Sequence, residues 1–291
     1  MIIINWQPGQ LGNCLMLWSH FLAYGIEHDK KIMNPRFLQY ASYFEKVDND
    51  FLFLYPAKKS TFLSRNNDYY FRLIPYILKL STILKLKSLP IVELPDFYKT
   101  YFDLEDVTNQ DILNKKVVFC NGWRFRAPNL VKKHRKEIID FFQPKKDYQS
   151  SPIAKIADLR TKNKIITGVH IRRGDFKLFM EGRFYFSDAI YAQAMKRFLE
   201  LNKEENILFV ICSNEQIAVN NFAGFDVIIN NGNCMEDLSM LSRCDYIIGP
   251  PSSFNIWASY YGEVPVYHIE DVDYQFTLKD FRVAYELDIK Y

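Results

Sequence analysis

Between residues 164 and 268 short apolar, β-branched runs alternate with segments whose apolar residues recur at helical spacing, and that alternation leaves few folds open. Lys164–Arg172 (KIITGVHIR), Ile207–Cys212 (ILFVIC), Asp226–Ile229, Tyr246–Ile248 and Val264–His268 read as strands. Ser187–Asn202 lies between the first two, with Ile190, Ala194, Phe198 and Leu201 on one side behind a capping serine. Asn214–Phe222, Met235–Cys244 and Ser252–Tyr261 are also assigned to helices, the second opening on Glu236-Asp237 as a helix N-terminus prefers. Apolar strands without polar alternation, separated by helices, are buried on both faces. The expected fold class is therefore α/β with a doubly wound parallel sheet.

The start of the chain repeats the theme: a strand over Ile2–Trp6, a tight loop Gly9-Gln-Leu-Gly12-Asn13 and a helix over Cys14–Ile26 that ends near Gly25 and Glu27–Asp29. Short helices are expected within residues 34–115, and Val117–Trp123 reads as a strand. The polar stretch Gln143–Ser151 (QPKKDYQSS) reads as a linker, giving domains at 1–150 and 151–291. Charge supports the division: residues 1–150 hold 22 Lys and Arg against 15 Asp and Glu, residues 151–291 hold 15 against 19. The overall net charge of +3 is too small for a nucleic-acid binder.

Five cysteines, an odd number without any C-x-x-C, read as reduced thiols rather than a disulfide framework or zinc ribbon. The opening MIIIN lacks a basic n-region, and no apolar run approaches the ~18 residues of a membrane span. With no N-x-S/T acceptor site, the expected location is cytoplasmic. Lys132-Lys-His-Arg-Lys136 and the apolar–basic stretch Leu73–Leu89 leave room for weak peripheral membrane contact, although such runs are more often a solvated face and a core helix.

Three segments carry chemistry. His170-Ile-Arg172-Arg173-Gly174-Asp175 ends a strand, where open α/β sheets bind ligands. Adjacent guanidinium forks suit phosphate oxygens, Gly174 lets the backbone turn closely, and Asp175 can orient an arginine. Gly249-Pro-Pro-Ser252-Ser253-Phe254, preceded by Asp245, stiffens a strand exit and opens a helix on two hydroxyls, an anion cradle or a plain cap. Gly9–Asn13 alone is an ordinary β–α turn, with neither a dinucleotide fingerprint nor a P-loop.

Together HIRRGD (170–175), GQLGN (9–13) and CDYIIGPPSSFNIWA (244–258) resemble the motifs of the GDP-fucose-dependent α-1,2- and α-1,6-fucosyltransferase superfamily, which includes protein O-fucosyltransferases. The resemblance implies the GT-B arrangement, two Rossmann-like domains facing across a cleft, with an acceptor-side N-terminal domain and a nucleotide-sugar C-terminal domain. It implies metal-independent, inverting transfer of fucose from GDP-fucose to a glycan hydroxyl, α-1,2 ahead of α-1,6; the lack of a signal or anchor segment adds the expectation of the cytosolic side of a surface-polysaccharide pathway. Carried over residue by residue, Arg172 would hold the β-phosphate, Arg173 and Asp175 would support it, and His170 would line the nucleotide pocket. Asp245 would meet the guanine–ribose end, Ser252, Ser253 and Phe254 the diphosphate and base, and Gly12 with Asn13 the phosphate or acceptor side. Cys14 and Pro250-Pro251 depart from the family pattern.

The general base is open between Asp175 and Glu181, the latter in an expected loop over Lys177–Arg183. A metal-dependent transferase would need a D-x-D chelate. Asp48-Asn49-Asp50 and Asp271-Val272-Asp273 match by spelling but read as surface acids. The alternatives are a transferase of another GDP-sugar, a non-catalytic nucleotide-sugar or glycan binder, and an unrelated nucleotide-binding α/β enzyme.

Overall fold

A computed structural model describes residues 1–48, 54–56, 90–94, 101–162, 165–203 and 205–288. The stretch 73–89 and the pair 49–50 of the first D-x-D tripeptide lie outside the described residues. Two compact units meet in sequence at Lys145 and Lys146.

The first unit, Met1–Lys145, holds β1 (Ile2–Ile4), β2 (Ile32–Met33), β3 (Leu54–Tyr55), β4 (Ile91–Glu93) and β6 (Val118–Asn121) in one sheet, and β5 (Phe102–Asp103) with β7 (Phe125–Arg126) in a small second one. The larger sheet has the order β3-β2-β1-β6-β4 and is parallel except for β3. Helix α1 (Leu11–Glu27) is buried over almost its whole length, as an all-round apolar sequence requires. It packs against β7, α2 (Pro128–Lys133) and α3 (Arg135–Phe141). Trp18 at its centre meets Phe37, Phe141 and Phe142 edge-on at 4.8–5.3 Å.

Helix α1 starts at Leu11, so Gly12 and Asn13 are in its first turn rather than in the expected loop. Gln10 precedes it without a side-chain cap bond. The helix also runs through Gly25 to Glu27; a glycine within a helix weakens it locally, and close packing of Gly25 against Ile32 keeps it there.

The second unit, Lys146–Tyr291, is a five-stranded parallel sheet of order β10-β9-β8-β11-β12, formed by β8 (Ile165–Ile171), β9 (Ile207–Ser213), β10 (Val227–Asn230), β11 (Tyr246–Gly249) and β12 (Val266–His268). In order of appearance this is 3-2-1-4-5, the doubly wound Rossmann order, which reverses direction between β8 and β11. Residues 169 and 171 of β8, 209 and 211 of β9, 248 of β11 and 267 of β12 face a core closed by Tyr191, Met195 and Phe198 of α5 (Asp188–Leu201). The other face takes α4 (Lys146–Arg160), α6 (Cys234–Leu241) and α7 (Ser253–Gly262).

Two expectations change here. The linker over Gln143–Ser151 is largely the first turns of α4, whose interior Pro152 did not prevent helix formation, and the division falls at 145 rather than 150. Asn214–Phe222 is not a helix: only Val219–Phe222 makes a 3-10 turn, because Asn214 and Glu215 turn their side chains onto the neighbouring motif instead. Among the described residues no helix is long and apolar enough to cross a membrane. Of the basic run at 132–136, Lys133 and His134 both reach Glu27, at 2.7 and 2.6 Å.

Candidate active site

The topology decides where to look. In an open α/β sheet the crevice outside the carboxyl ends of the strands, where strand order reverses, is unobstructed by crossovers. In the second unit that point is the pair of exits from β8 and β11, which are hydrogen-bonded neighbours. β8 delivers His170, Arg172 and Arg173 there, and β11 delivers Ser252, Ser253 and Phe254.

Strand alternation separates the two arginines. Arg172 pairs with Asp175 at 2.6 Å and lies over the Phe176 ring, 5.4 Å from its centre. Arg173 turns to α5 and bonds Asp188, which also accepts from Asn221. Its backbone N–H donates to Asn214 Oδ1 at 2.8 Å, and the Gly174 N–H donates to Glu215 Oε1 at 2.9 Å. Gly174 has φ +62°, a conformation costly for other residues, so the motif leaves its strand through a turn held by the end of β9. The two guanidinium groups are therefore held apart, Arg172 by Asp175 in its own turn and Arg173 by Asp188 on α5.

His170 is buried against Phe254, ring centres 5.0 Å apart and planes at 33°. Burial, with the nearby Arg172 charge adding to it, pushes its imidazole down to about 3, a shift that Asn255 offsets only in part. Burial likewise pushes His268 down to about 4. His268 sits beside Gly249 in the strand register, and His170 flanks Gly249 on the other side. A Cβ at Gly249 would meet the Asn255 amide at 2.5 Å, so glycine makes room for that buried side chain. His170 Nδ1, Asn255 Oδ1 and His268 Nε2 are buried without an aligned hydrogen-bond partner. The site is therefore a cationic fork on an uncharged polar floor.

Ser252 is the N-cap of α7, its Oγ accepting from the Phe254 N–H at 3.2 Å. The Ser252 cap leaves other first-turn N–H groups and the positive end of the helix dipole at the same exit. Ser253 and Phe254 are partly exposed there.

Asp245 is corrected. It precedes β11 and so lies at the opposite edge of the sheet, where it pairs with Arg160 at 2.9 Å and accepts from the Ile166 N–H at 2.8 Å. At ~3.3 Å per strand residue it is roughly 15 Å from the β8 exit. Its motif spells together with Ser252 only because a four-residue strand separates them. Glu181 is exposed on a turn with φ +59° in the expected loop region. Gly12 and Asn13 belong to the first unit, at the start of α1. Asp271 accepts from the Asp273 N–H within its own turn. Sequence reading missed Asp188, Asn214, Glu215, Asn255 and His268. Polar residues at strand exits and at the first position of a helix were the available signal.

No curated protein sequence matches this chain. Its fold is shared with an Arabidopsis thaliana FUT1 mutant in complex with GDP, at 11% identity over 93% of this chain and 71% of that one, TM-score 0.58. It is shared also with the fucosyltransferase NodZ from Bradyrhizobium, at 14% identity over 92% and 95%, TM-score 0.55. POFUT1 in complex with GDP matches at 8% identity over 90% and 94%, TM-score 0.51. The family model described as glycosyl transferase family 11 matches residues 94–281, more than half of the sequence, taking in the β8 exit and the capped start of α7. The chain therefore belongs to glycosyl transferase family 11.

Proposed function

We propose that this enzyme moves fucose from GDP-fucose to a hydroxyl of a glycan, forming an α-1,2 linkage with inversion and without a metal. The observation that carries the reading is the Arg172 fork at the switch point of the second sheet, beside the N-terminus of α7. Cleaving a glycosyl–phosphate bond leaves an electron pair on a β-phosphate oxygen. A fixed guanidinium and a helix N-terminus stabilise that charge without reorganising. Asp175 orients the fork, Arg173 holds its loop, and His170 with Phe254 forms an uncharged wall for the nucleotide.

Glu181 is the general base of this proposal, since Asp175 is engaged with Arg172 while the Glu181 carboxylate is exposed. The acceptor hydroxyl forms the new bond to the sugar C1, its proton passes to Glu181, and GDP departs with the bonding pair. Released GDP, measured in EDTA with GDP-fucose and a glycan acceptor, tests the scheme. Arg172→Ala is expected to lower kcat by about 10³ with an unchanged melting temperature. A normal rate would end the proposal. Glu181→Gln should lose about 10²-fold in transfer while slow hydrolysis of the sugar donor persists; unchanged transfer removes Glu181 from the mechanism.

A further inference from the structure

β8 and β9 pair in register as far as Ile171 opposite Ser213, and the next residues are Arg172 on one strand and Asn214 on the other. The backbone ladder stops there, but the hydrogen bonding does not. The Asn214 side chain takes both backbone groups of Arg173: its Oδ1 accepts from the Arg173 N–H at 2.8 Å, and its Nδ2 donates to the Arg173 C=O at 3.2 Å. A carboxamide carries the same donor and acceptor as a peptide unit, so Asn214 adds one side-chain rung beyond the last strand residue. Glu215 supplies a further bond, accepting from the Gly174 N–H at 2.9 Å, while its own N–H donates to Ser213 Oγ at 3.1 Å. Gly174 leaves room for this arrangement, since a Cβ there would come within 2.9 Å of Asn214 Nδ2.

Arg173 is therefore held at its N–H, at its C=O and, through Asp188, at its guanidinium. Arg172 lies between that residue and the paired Ile171, so its Cα has little freedom left, and Asp175 at 2.6 Å sets the torsions of its side chain. Asn214 and Glu215 are both exposed, where water competes for each bond and the gain in stability is small. What their bonds fix is direction. We propose that Asn214 and Glu215 are positioning residues: acting through the Arg173–Gly174 backbone, they hold the Arg172 guanidinium where negative charge develops on the departing diphosphate. The inference rests on the transferase reading for the step in which it acts. A guanidinium held in place stabilises that charge without reorganising, whereas one on a loosened turn must first be ordered. A loosened fork still follows a bound diphosphate in the ground state, so the loss falls more on kcat than on donor affinity.

The full chain is assayed for GDP release from GDP-fucose with a glycan acceptor, with GDP affinity by calorimetry and melting temperature on the same preparations. Asn214→Ala is expected to lower kcat on the order of 10²-fold. The Kd for GDP should rise less than that, and the acceptor KM and the melting temperature should stay close to those of the wild type. Glu215→Ala should lose turnover in the same direction. Glu215→Gln, which keeps an acceptor oxygen for the Gly174 N–H, should recover most of it, and Gln216→Ala, exposed next to them in sequence, is the control. The decisive arm is the double variant: if Asn214 acts through the fork, Asn214→Ala costs less than about twofold in the Arg172→Ala background. A full additional loss there, or a loss in Asn214→Ala accounted for by unfolded protein, overturns the proposal. A wild type that binds GDP and turns over, with Asn214→Ala equally active, ends this inference alone; a wild type without GDP affinity ends the proposed function with it.

Discussion

The crevices at the reversal points of the two sheets hold the same place in their topologies and carry different chemistry. The one in the second unit gathers a single guanidinium, a capped helix N-terminus and two imidazoles that burial keeps uncharged. The one in the first unit pairs Arg36 with Asn5 and Glu93 with Asn121 and adds an exposed indole. The backbone supplies the location in both cases, and the side chains at the strand exits set the charge that each crevice presents. What surrounds the fork matters as much as the fork: had His170 been protonated, Arg172 would face a second cation, and its field would be less a property of one residue.

The largest expected effect after loss of Arg172 itself comes from the residue next to it, and it breaks the assumption that two adjacent arginines do one job. Arg173 and Asp188 are 15% and 18% exposed and bonded to each other. Removing one leaves a mostly buried charge uncompensated, which costs about 3 kcal/mol. Arg173→Ala should therefore shift the urea midpoint strongly, and the paired Arg173→Met/Asp188→Leu variant should recover most of that stability. Turnover per folded molecule should fall far less than in Arg172→Ala. If Arg173→Ala leaves stability intact and abolishes turnover, both forks serve the sugar donor and the second crevice is more cationic than described.

A second pair of buried groups sharpens the electrostatic account through pH. Burial raises Asp237 to about 7, with Asn230 Nδ2 donating to its Oδ1 at 2.7 Å. Its folded value lies above its ordinary one, so between about 4 and 7 the folded state holds the extra proton, and stability from this group falls as pH rises through that window. The imidazoles act oppositely. His170 and His268 are depressed to about 3 and 4, so the unfolded state takes up protons first, and stability is lost as pH falls below about 6.5. Asp237→Asn keeps the acceptor oxygen and should stabilise the protein by on the order of 2 kcal/mol at pH 8, with little effect at pH 4. His268→Gln should reduce the acid-side slope instead. Urea midpoints at five pH values check both, and a pH-independent difference for Asp237→Asn would show that the carboxylate is solvated.

The second sheet was legible because its strands carry no polar alternation: once five such runs are separated by helical spacing, parallel pairing and burial on both faces follow. The β8 exit was legible for the same reason, since a strand that ends in two arginines must place them at the ligand edge. What escaped was everything set by direction rather than by spacing. Arg172 and Arg173 are adjacent in sequence but leave the strand on opposite sides, and only the positions of Asp175 and Asp188 show what holds each. Asp245 reads as part of a serine-rich motif although a strand lies between them, and a strand has two ends. In the first unit β1 and β6 fall inside the runs read as strands, Ile2–Trp6 and Val117–Trp123, whereas the two or three residues of β2, β3 and β4 give too short a pattern to register. The Glu93–Asn121 pair joins residues 28 apart that only the sheet brings together.

Ionic strength separates the two substrates of the proposed reaction, with the smallest effect. At 0.1 M salt the Debye length is about 10 Å, and at 0.5 M it is about 4 Å, so attraction between a diphosphate and a partly exposed guanidinium weakens, although Arg172, 13% exposed, is shielded from much of that screening. The KM for GDP-fucose should rise about threefold across this range. A neutral pyranose has no long-range attraction to lose, so the KM for the glycan acceptor should stay within about 1.5-fold. Sodium chloride titrations of initial rate at fixed saturating co-substrate separate the two constants. Equal salt dependence for both substrates would mean that the acceptor too is held by charge, and the account of a single fork on a neutral floor would have to be abandoned.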